Sequence, residues 1–399
     1  MNRSGKRTGF LQELSGGLGD AGLLIPLAVA MVALNGISAT AAFGLAGIAY
    51  IATALAFRVP VPVQPLKAFA AAAVALGLDA EVIAAGALLM SAAMAILALT
   101  GLAGWLAARF PLVLVRGIQA AVAVLLVKAA IDLAGKGNWE GLPEIAPAIG
   151  FATAALACLA LFAARGWSLL PGSLAVLAAG FAIGLAVGGF PDDLSLGPGA
   201  VSLSLPDGAA FGTALSALVI AQLPLTFGNS VVATADAERT YFGARASRVT
   251  PNRLAVSIGL WNALAGVFAA VPLCHGAGGV TAHYRLGARS ALATLSAGAL
   301  LLALALALGD SLPALLRVLA PGALAGMLLF VAIQHGILAM SLEGAADRAA
   351  AAVVGVVTLL AGNLAIGFAV GVAVLVARAV WRRRPAELSI PFRRPKYGG

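Results

Sequence analysis

The chain has 399 residues, 61% of them hydrophobic and 10% charged, with a mean hydropathy of +1.01. Soluble domains are about 45–50% apolar and about 25% charged, so these values exclude a water-soluble enzyme or a disordered chain and leave a polytopic membrane protein. The formal charge of +9 does not point to nucleic acid, because 7 of the 25 Lys and Arg fall in the last 22 residues and three more are Arg3, Lys6 and Arg7, as in membrane-flanking tails.

A basic tail, 1–13, leads into an apolar run over 14–34 that is too long for a signal peptide and contains Asp20 and Pro26, so it reads as a first membrane helix. Apolar runs punctuated by Gly, Pro and charge follow at 38–57, 64–78, 82–107, 111–134, 145–164 and 170–189. After a linker over 190–208 come 209–235, 253–270, 276–288, 290–309, 312–339, 346–361 and 363–381. The fold class expected is an all-α polytopic membrane protein of about 14 segments. A basic tail, 382–399, is too short to bury a core of its own.

With the N-terminus inside, the inner loops receive Arg58, Arg109, Arg165, Arg239, Arg245, Arg248, Arg253, Arg285, Arg289 and Arg348 together with both basic tails. The outer loops receive one cation, Lys136, and the acids Asp79, Glu81, Glu140, Glu144, Asp192, Asp193, Asp207 and Asp310. The cation bias places both termini in the cytoplasm and the protein in the cytoplasmic (inner) membrane. Cys158 and Cys274 sit in apolar runs and form no disulfide framework or metal-ligand spacing.

The halves are punctuated alike. Pro26 of "GDAGLLIP" and Pro224 of "AQLPLTFGNS" are 198 residues apart, and Arg116 and Arg317 are 201 apart, each just after a Pro-led helix start. Seven segments per half is an odd number, so the second repeat, 209–381, is inverted relative to the first, 14–189.

The third and tenth segments carry the chemistry. "PVPVQPLK" has Pro60, Pro62 and Pro65, so the stretch up to Gln64 is extended and a helix is expected to start near Pro65. "VPLCHGAGG" (271–279) repeats the design, with a Gly-rich opening into "VTAHYRLGAR" (280–289). Both read as half-helices beginning at mid-membrane. Irregular backbone at that depth must be buried in protein or line a cavity. Two half-helix N-termini facing each other present free N–H groups that suit an anion, and Gly276, Gly278 and Gly279 let a ligand approach the backbone.

The candidate substrate-binding residues are Gln64, Pro65, Leu66, Lys67, Gln222, Asn229, Cys274, His275, Gly276 and Ala277. Lys67, expected one turn into the first half-helix, either holds the anion or pairs with Asp20 or Asp132. Asp20 is either a proton carrier or the cap of a broken helix. His275 either donates to an oxyanion or is a hydrogen-bonded core residue. A nucleophilic pair with Cys274 is not expected, because neighbours in extended chain point to opposite sides. Gln64, Gln222 and Asn229 either complete the anion shell or satisfy freed backbone groups. Arg116, Lys128 and Arg317 are placed at helix ends or in ion pairs.

On these residues the sequence resembles the molybdate transporter family, relatives of the sulfate permeases. "PVPVQPLK" is similar to that family's Pro-x-Pro-Val-Gln-Pro-Met-Lys signature, with Val61 and Leu66 in place of methionines. "VPLCHGAGG" and "AHYRLGAR" resemble its second signature, with Val271 replacing Met, and "GDAGLLIP" and "QLPLTFGNSVVATAD" also look like family segments. The resemblance implies 14 segments in two inverted repeats of seven, with core and gate domains. Sulfate permeases carry an additional C-terminal regulatory domain, which favours the molybdate branch here.

The function expected is secondary active uptake of a tetrahedral oxyanion, molybdate first and sulfate next, by alternating access and with co-transported protons or sodium. The alternatives are a passive anion channel and a nucleobase or aromatic-acid permease on the same fold. Lys67 and His275 favour an anion over a nucleobase. No enzyme activity, cofactor, metal or nucleic-acid partner is expected. The partners expected are the anion, the coupling ion, the lipid bilayer and, in an oligomer, a second copy.

Overall fold

A computed structural model of the chain describes residues 10–18, 21–102, 105, 111–135, 147–163, 172–189, 191, 194–285, 287–309, 311–361 and 364–381. Helices account for nearly all of it. In the first half these are α1 (Phe10–Gly17), α2 (Ala21–Asn35), α3 (Ala39–Phe57), α4 (Lys67–Leu76), α5 (Ala80–Thr100), α6 (Leu112–Ala134), α7 (Pro147–Ala163) and α8 (Gly172–Gly188). The second half holds α9 (Gly208–Arg248), α10 (Pro251–Val267), α11 (Ala277–Arg285), α12 (Leu292–Leu308), α13 (Leu312–Val318), α14 (Pro321–Met340), α15 (Ala345–Ala361) and α16 (Leu364–Trp381). Two strands of two residues each, β1 (Gln64–Pro65) and β2 (Leu273–Cys274), pair antiparallel, Gln64 opposite Cys274 and Pro65 opposite Leu273.

Local chemistry sets the helix starts. Ser38, Asp79, Asp207 and Thr250 each accept a hydrogen bond from the amide three residues on, satisfying a donor that the helix itself leaves free. Pro251 follows Thr250 at the first helical position, where its missing N–H costs nothing. By length and composition α3, α5, α6 and α9 are each able to cross a bilayer. Apolar side chains such as Leu55, Leu99, Leu156, Leu159, Met340 and Leu360 project outward, more than 60% exposed. A water-soluble surface does not carry such a belt.

Helix contacts run between distant parts of the sequence. α3 packs on α12, α5 on α10, α14 on α6 and α7, and α15 on α6 and α16. Small residues permit this closeness: a side chain at Gly298 would start 2.7 Å from the carbonyl oxygen of Gly47, so the α3 and α12 backbones touch there.

Several expected boundaries are corrected. The segment expected at 14–34 is two helices, α1 and α2, and the one at 312–339 is α13 and α14. The eighth segment continues beyond 235 to Arg248, and Pro224 neither ends nor breaks it. Wider π-type turns at Leu215–Val219 and Thr226–Ala233 flank the proline, in a helix whose ladder loses the Pro224 N–H. The first short helix starts at Lys67, two residues after Pro65, so Lys67 is its first residue and not one turn in. Pro65 lies in the strand pair, and the Leu66 amide donates to Pro272 O at 2.9 Å. The second starts at Ala277, within one residue of the expected 276, and is closed by the Val280 amide donating to Gly276 O at 3.1 Å.

Candidate functional site

The site is built around the buried β1–β2 pair. Alternating Val59, Val61 and Val63 with Pro60, Pro62 and Pro65 produce an extended strap, as expected, and all three valines are buried. Leaving the strap, the chain turns into α4 at Lys67; leaving β2, it turns into α11 at Ala277. The two helix openings therefore lie side by side.

Three groups converge between them. A Cβ built on Gly276 would fall on Gln64 Oε1 and lie 3.2 Å from Lys67 Nζ. The carboxamide and the ammonium from the first opening thus cover the backbone of the second, in the space that a glycine leaves. One step on, a Cβ at Gly278 would meet no atom within 4 Å, so the first turn of α11 borders open space. Lys67 is 9% exposed, and no described carboxylate lies within ion-pair distance of it. Asp132, one of the partners considered for it, pairs instead with Lys128 at 3.0 Å. The other, Asp20, lies outside the described residues. Arg116 donates to Gln119 Oε1 at 2.8 Å, within α6; the side chain of Arg317 is outside the described set.

Other expected residues hold the frame. Gln222 of α9 accepts from the Phe69 amide at 2.9 Å and donates to Thr226 Oγ1 at 2.9 Å, so it satisfies a first-turn donor of α4. Asn35 caps the other end of α4, donating to Ala73 O and Leu78 O at 2.9 and 2.7 Å. Cys274 and His275 do point apart: the Cys274 thiol donates to Pro65 O at 3.4 Å, whereas His275 Nδ1 is 2.8 Å from Pro62 O and its Nε2 is 3.0 Å from Ser257 Oγ. Both ring nitrogens of His275 therefore have protein partners, and the ring meets Phe57 edge-on at 6.0 Å. Asn229 sits in the second π-type stretch of α9, half-buried, its carbonyl accepting from Thr234 Oγ1 at 2.9 Å.

Among the buried polar residues that the sequence did not single out, three lie on the helices around the site. Asn262 donates to Leu273 O and Ile258 O, both at 2.7 Å, and so anchors β2 to α10. His283 and Glu238 lie deeper along α11 and α9, each 0% exposed. The signal for all three was available: a polar side chain inside an apolar run is costly and marks a site or a structural tie. Gln222→Leu is expected to leave the Phe69 amide unsatisfied and to lower stability by roughly 1–3 kcal/mol, seen as a reduced melting temperature in detergent with the protein still inserted in the membrane.

The profile of a family described as "Molybdate transporter of MFS superfamily" matches residues 12–126 and 214–334, more than half of the chain. The chain belongs to that family. Each matched stretch contains one strap and the short helix that follows it, and membership makes the chain a transporter, not an enzyme. Among relatives of the family member, "Molybdate transporter 2" of Arabidopsis thaliana is 29% identical over 407 residues, covering 90% of this chain and 85% of that protein. "Molybdate transporter 1" of the same plant is 26% identical, covering 95% and 91%. Among solved structures, the transmembrane domain of a cyanobacterium bicarbonate transporter, BicA, superposes with a TM-score of 0.66 at 17% identity, covering 90% of this chain and 97% of that one. The family member thus shares the fold of a transporter's transmembrane domain, and its apolar helices are those of an integral membrane protein.

Proposed function

We propose that the protein is a secondary active transporter that takes up a tetrahedral oxyanion, molybdate first and sulfate next, between the openings of α4 and α11. One observation carries the reading: Lys67 Nζ and the Gln64 carboxamide meet over Gly276, beside the openings of two short helices. A cation, a carboxamide turned to donate through its nitrogen, and helix N-termini are groups that bind a fully ionised oxyanion. Pro65, Leu66, Cys274 and Ala277 shape the backbone at this point, with His275 and Gln222 as the ties that hold it. Asn229, on the flank of α9, faces the same region in this reading. The family relatives named for molybdate support this choice of anion.

In this reading the chain has 14 segments in two inverted repeats of seven, over 14–189 and 209–381, whose core and gate parts alternate access to the two sides. Both termini face the cytoplasm, across the cytoplasmic membrane, and a homodimer is compatible with the fold. Protons drive uptake, with Asp20 as an acceptor. Purified protein in proteoliposomes should accumulate labelled molybdate above the outside concentration, with tungstate and sulfate competing in that order. Equilibration without accumulation would identify a channel, and competition by uracil but not by oxyanions would identify a nucleobase permease.

The topology has its own test. Cysteines placed at Asp193 and Asp310 should react with an impermeant thiol reagent added outside intact cells, and one placed at Arg245 should not. Labelling at 245 from outside would break the 14-segment arrangement.

A further inference from the structure

We propose that Glu238 carries a second proton of the transport cycle, alongside Asp20; this rests on the proton-coupled reading above. Glu238 is 0% exposed, and neither of its carboxyl oxygens has a hydrogen-bond partner. It shares one stripe of α9 with Ala235 and Phe242, both members of an apolar cluster with Phe57, Val59, Val61 and Val280. The carboxyl group is therefore directed at the end of α3, the first strap and the first turn of α11.

Its level along α11 follows from the neighbouring contacts. Tyr241 donates to Thr281 Oγ1 at 3.3 Å, and Tyr284 stacks on Tyr241 with ring centroids 4.6 Å apart and meets Phe242 edge-on at 5.6 Å. These contacts pack α11 against the turn of α9 that follows Glu238. Ala235 and Phe242, which flank Glu238 on its stripe of α9, belong to the same cluster as Val280 in the first turn of α11, the helix that Gly276 leads into. The half-buried Tyr241–Tyr284 stack closes the far side, with the Arg289 guanidinium 4.0 Å above the Tyr284 ring.

A second buried polar atom lies on the same helix pair. His283 is 0% exposed, its ring stacks on Tyr50 at 6.5 Å, its Nδ1 lies 3.3 Å from Pro60 O, and its Nε2 has no partner. Among the described side chains, the titratable groups around this compartment are His283 and Tyr284 from α11, Tyr50 from α3 behind His283, His275 behind Phe57 with both ring nitrogens partnered, and Tyr241 from α9 itself. The nearby Arg58, Arg239, Arg245 and Arg248 and the acid Asp236 are exposed. Among the described residues no cation forms an ion pair with the Glu238 carboxyl; the Arg289 and Arg245 guanidiniums lie over the outer aromatic rings instead.

An apolar cluster does not require a carboxyl group, and an ionised one without a partner there is strongly unfavourable. A proton on the carboxyl removes that cost, and a movement that opens the aromatic stack to water lets it leave as the anion leaves. The charge balance calls for such a group. A dianion carried with one proton still moves one net negative charge against an inside-negative potential, whereas two protons make the step electroneutral. Each proton forms an O–H bond with a carboxylate on one side and returns to water on the other, with no other bond changed.

The test is the limiting molybdate accumulation ratio in proteoliposomes, at zero membrane potential, against the imposed pH difference. Each co-transported proton multiplies that ratio by about ten per pH unit, so two protons give about a hundredfold and Glu238→Gln should give about tenfold. Molybdate–molybdate exchange without a gradient should persist in the variant, because the carboxamide matches the neutral acid in size and charge. An unchanged hundredfold response in Glu238→Gln would overturn the proposal. So would loss of exchange in a variant that inserts and purifies like the unmodified protein. A wild-type ratio indifferent to pH would instead sink the proton-coupled reading itself.

Discussion

Lys67→Ala is expected to abolish measurable molybdate uptake at low substrate while the protein remains in the membrane at normal abundance. A hydrogen bond to a charged group is worth about 1.5–3 kcal/mol, which alone weakens apparent affinity by roughly 10- to 150-fold. Lys67 is also the cation that lies over the second opening, so the repulsion it offsets returns when it is removed. Gly276→Val should be as severe for a different reason. The atoms its side chain would strike are Gln64 Oε1, Gln64 Cδ and Lys67 Nζ, the outer ends of two flexible side chains. They can swing aside, so the fold survives, but they leave the position in which they would meet the anion. Normal uptake by both variants, measured in whole cells with membrane abundance checked by immunoblot, would move the site elsewhere.

The second large effect concerns the driving force. Moving a dianion into a compartment 100 mV negative requires about 4.6 kcal/mol, at about 2.3 kcal/mol per charge. Unaided equilibration would therefore hold the inside concentration more than about a thousandfold below the outside. Uptake should rise as the outside pH falls and collapse on addition of a protonophore, and Asp20→Asn should weaken its pH dependence. Uptake that ignores the proton gradient but requires sodium would replace the coupling ion and leave the oxyanion site as argued.

The straps were legible because proline acts through covalent geometry, independent of context. Three prolines alternating with valines fix an extended run wherever they lie, and the run is extended. The first residue of each short helix was less legible. Whether Pro65 begins a helix depends on whether Leu66 finds a partner, and that partner, Pro272, lies more than 200 residues away. Lys67, Gln64 and Gly276 were all named from the sequence, but their convergence depends on the β1–β2 register, which no local pattern encodes. The same holds for Gln222: a glutamine beside a proline reads as a ligand or a cap, and only the docking of α4 against α9 shows which amide it serves. Glu238 escaped notice because it stands among Asp236, Arg239 and Arg245, where charge looks like a solvated end; three-dimensional packing separates it from them.

The pairing of Gln64 with Cys274 also has a consequence for biogenesis. The partners are 210 positions apart, and at about 5–20 residues per second of synthesis the first strap waits roughly 10–40 s for the second to be made. During that interval its backbone groups and the Lys67 ammonium are without the partners that bury them, a state that lipid does not tolerate. The candidate site therefore cannot assemble until about two thirds of the chain has been made. Substitutions in β2 or at Asn262, which anchors it, should act first on the yield of inserted protein, through capture by membrane quality control, before any effect on transport is seen.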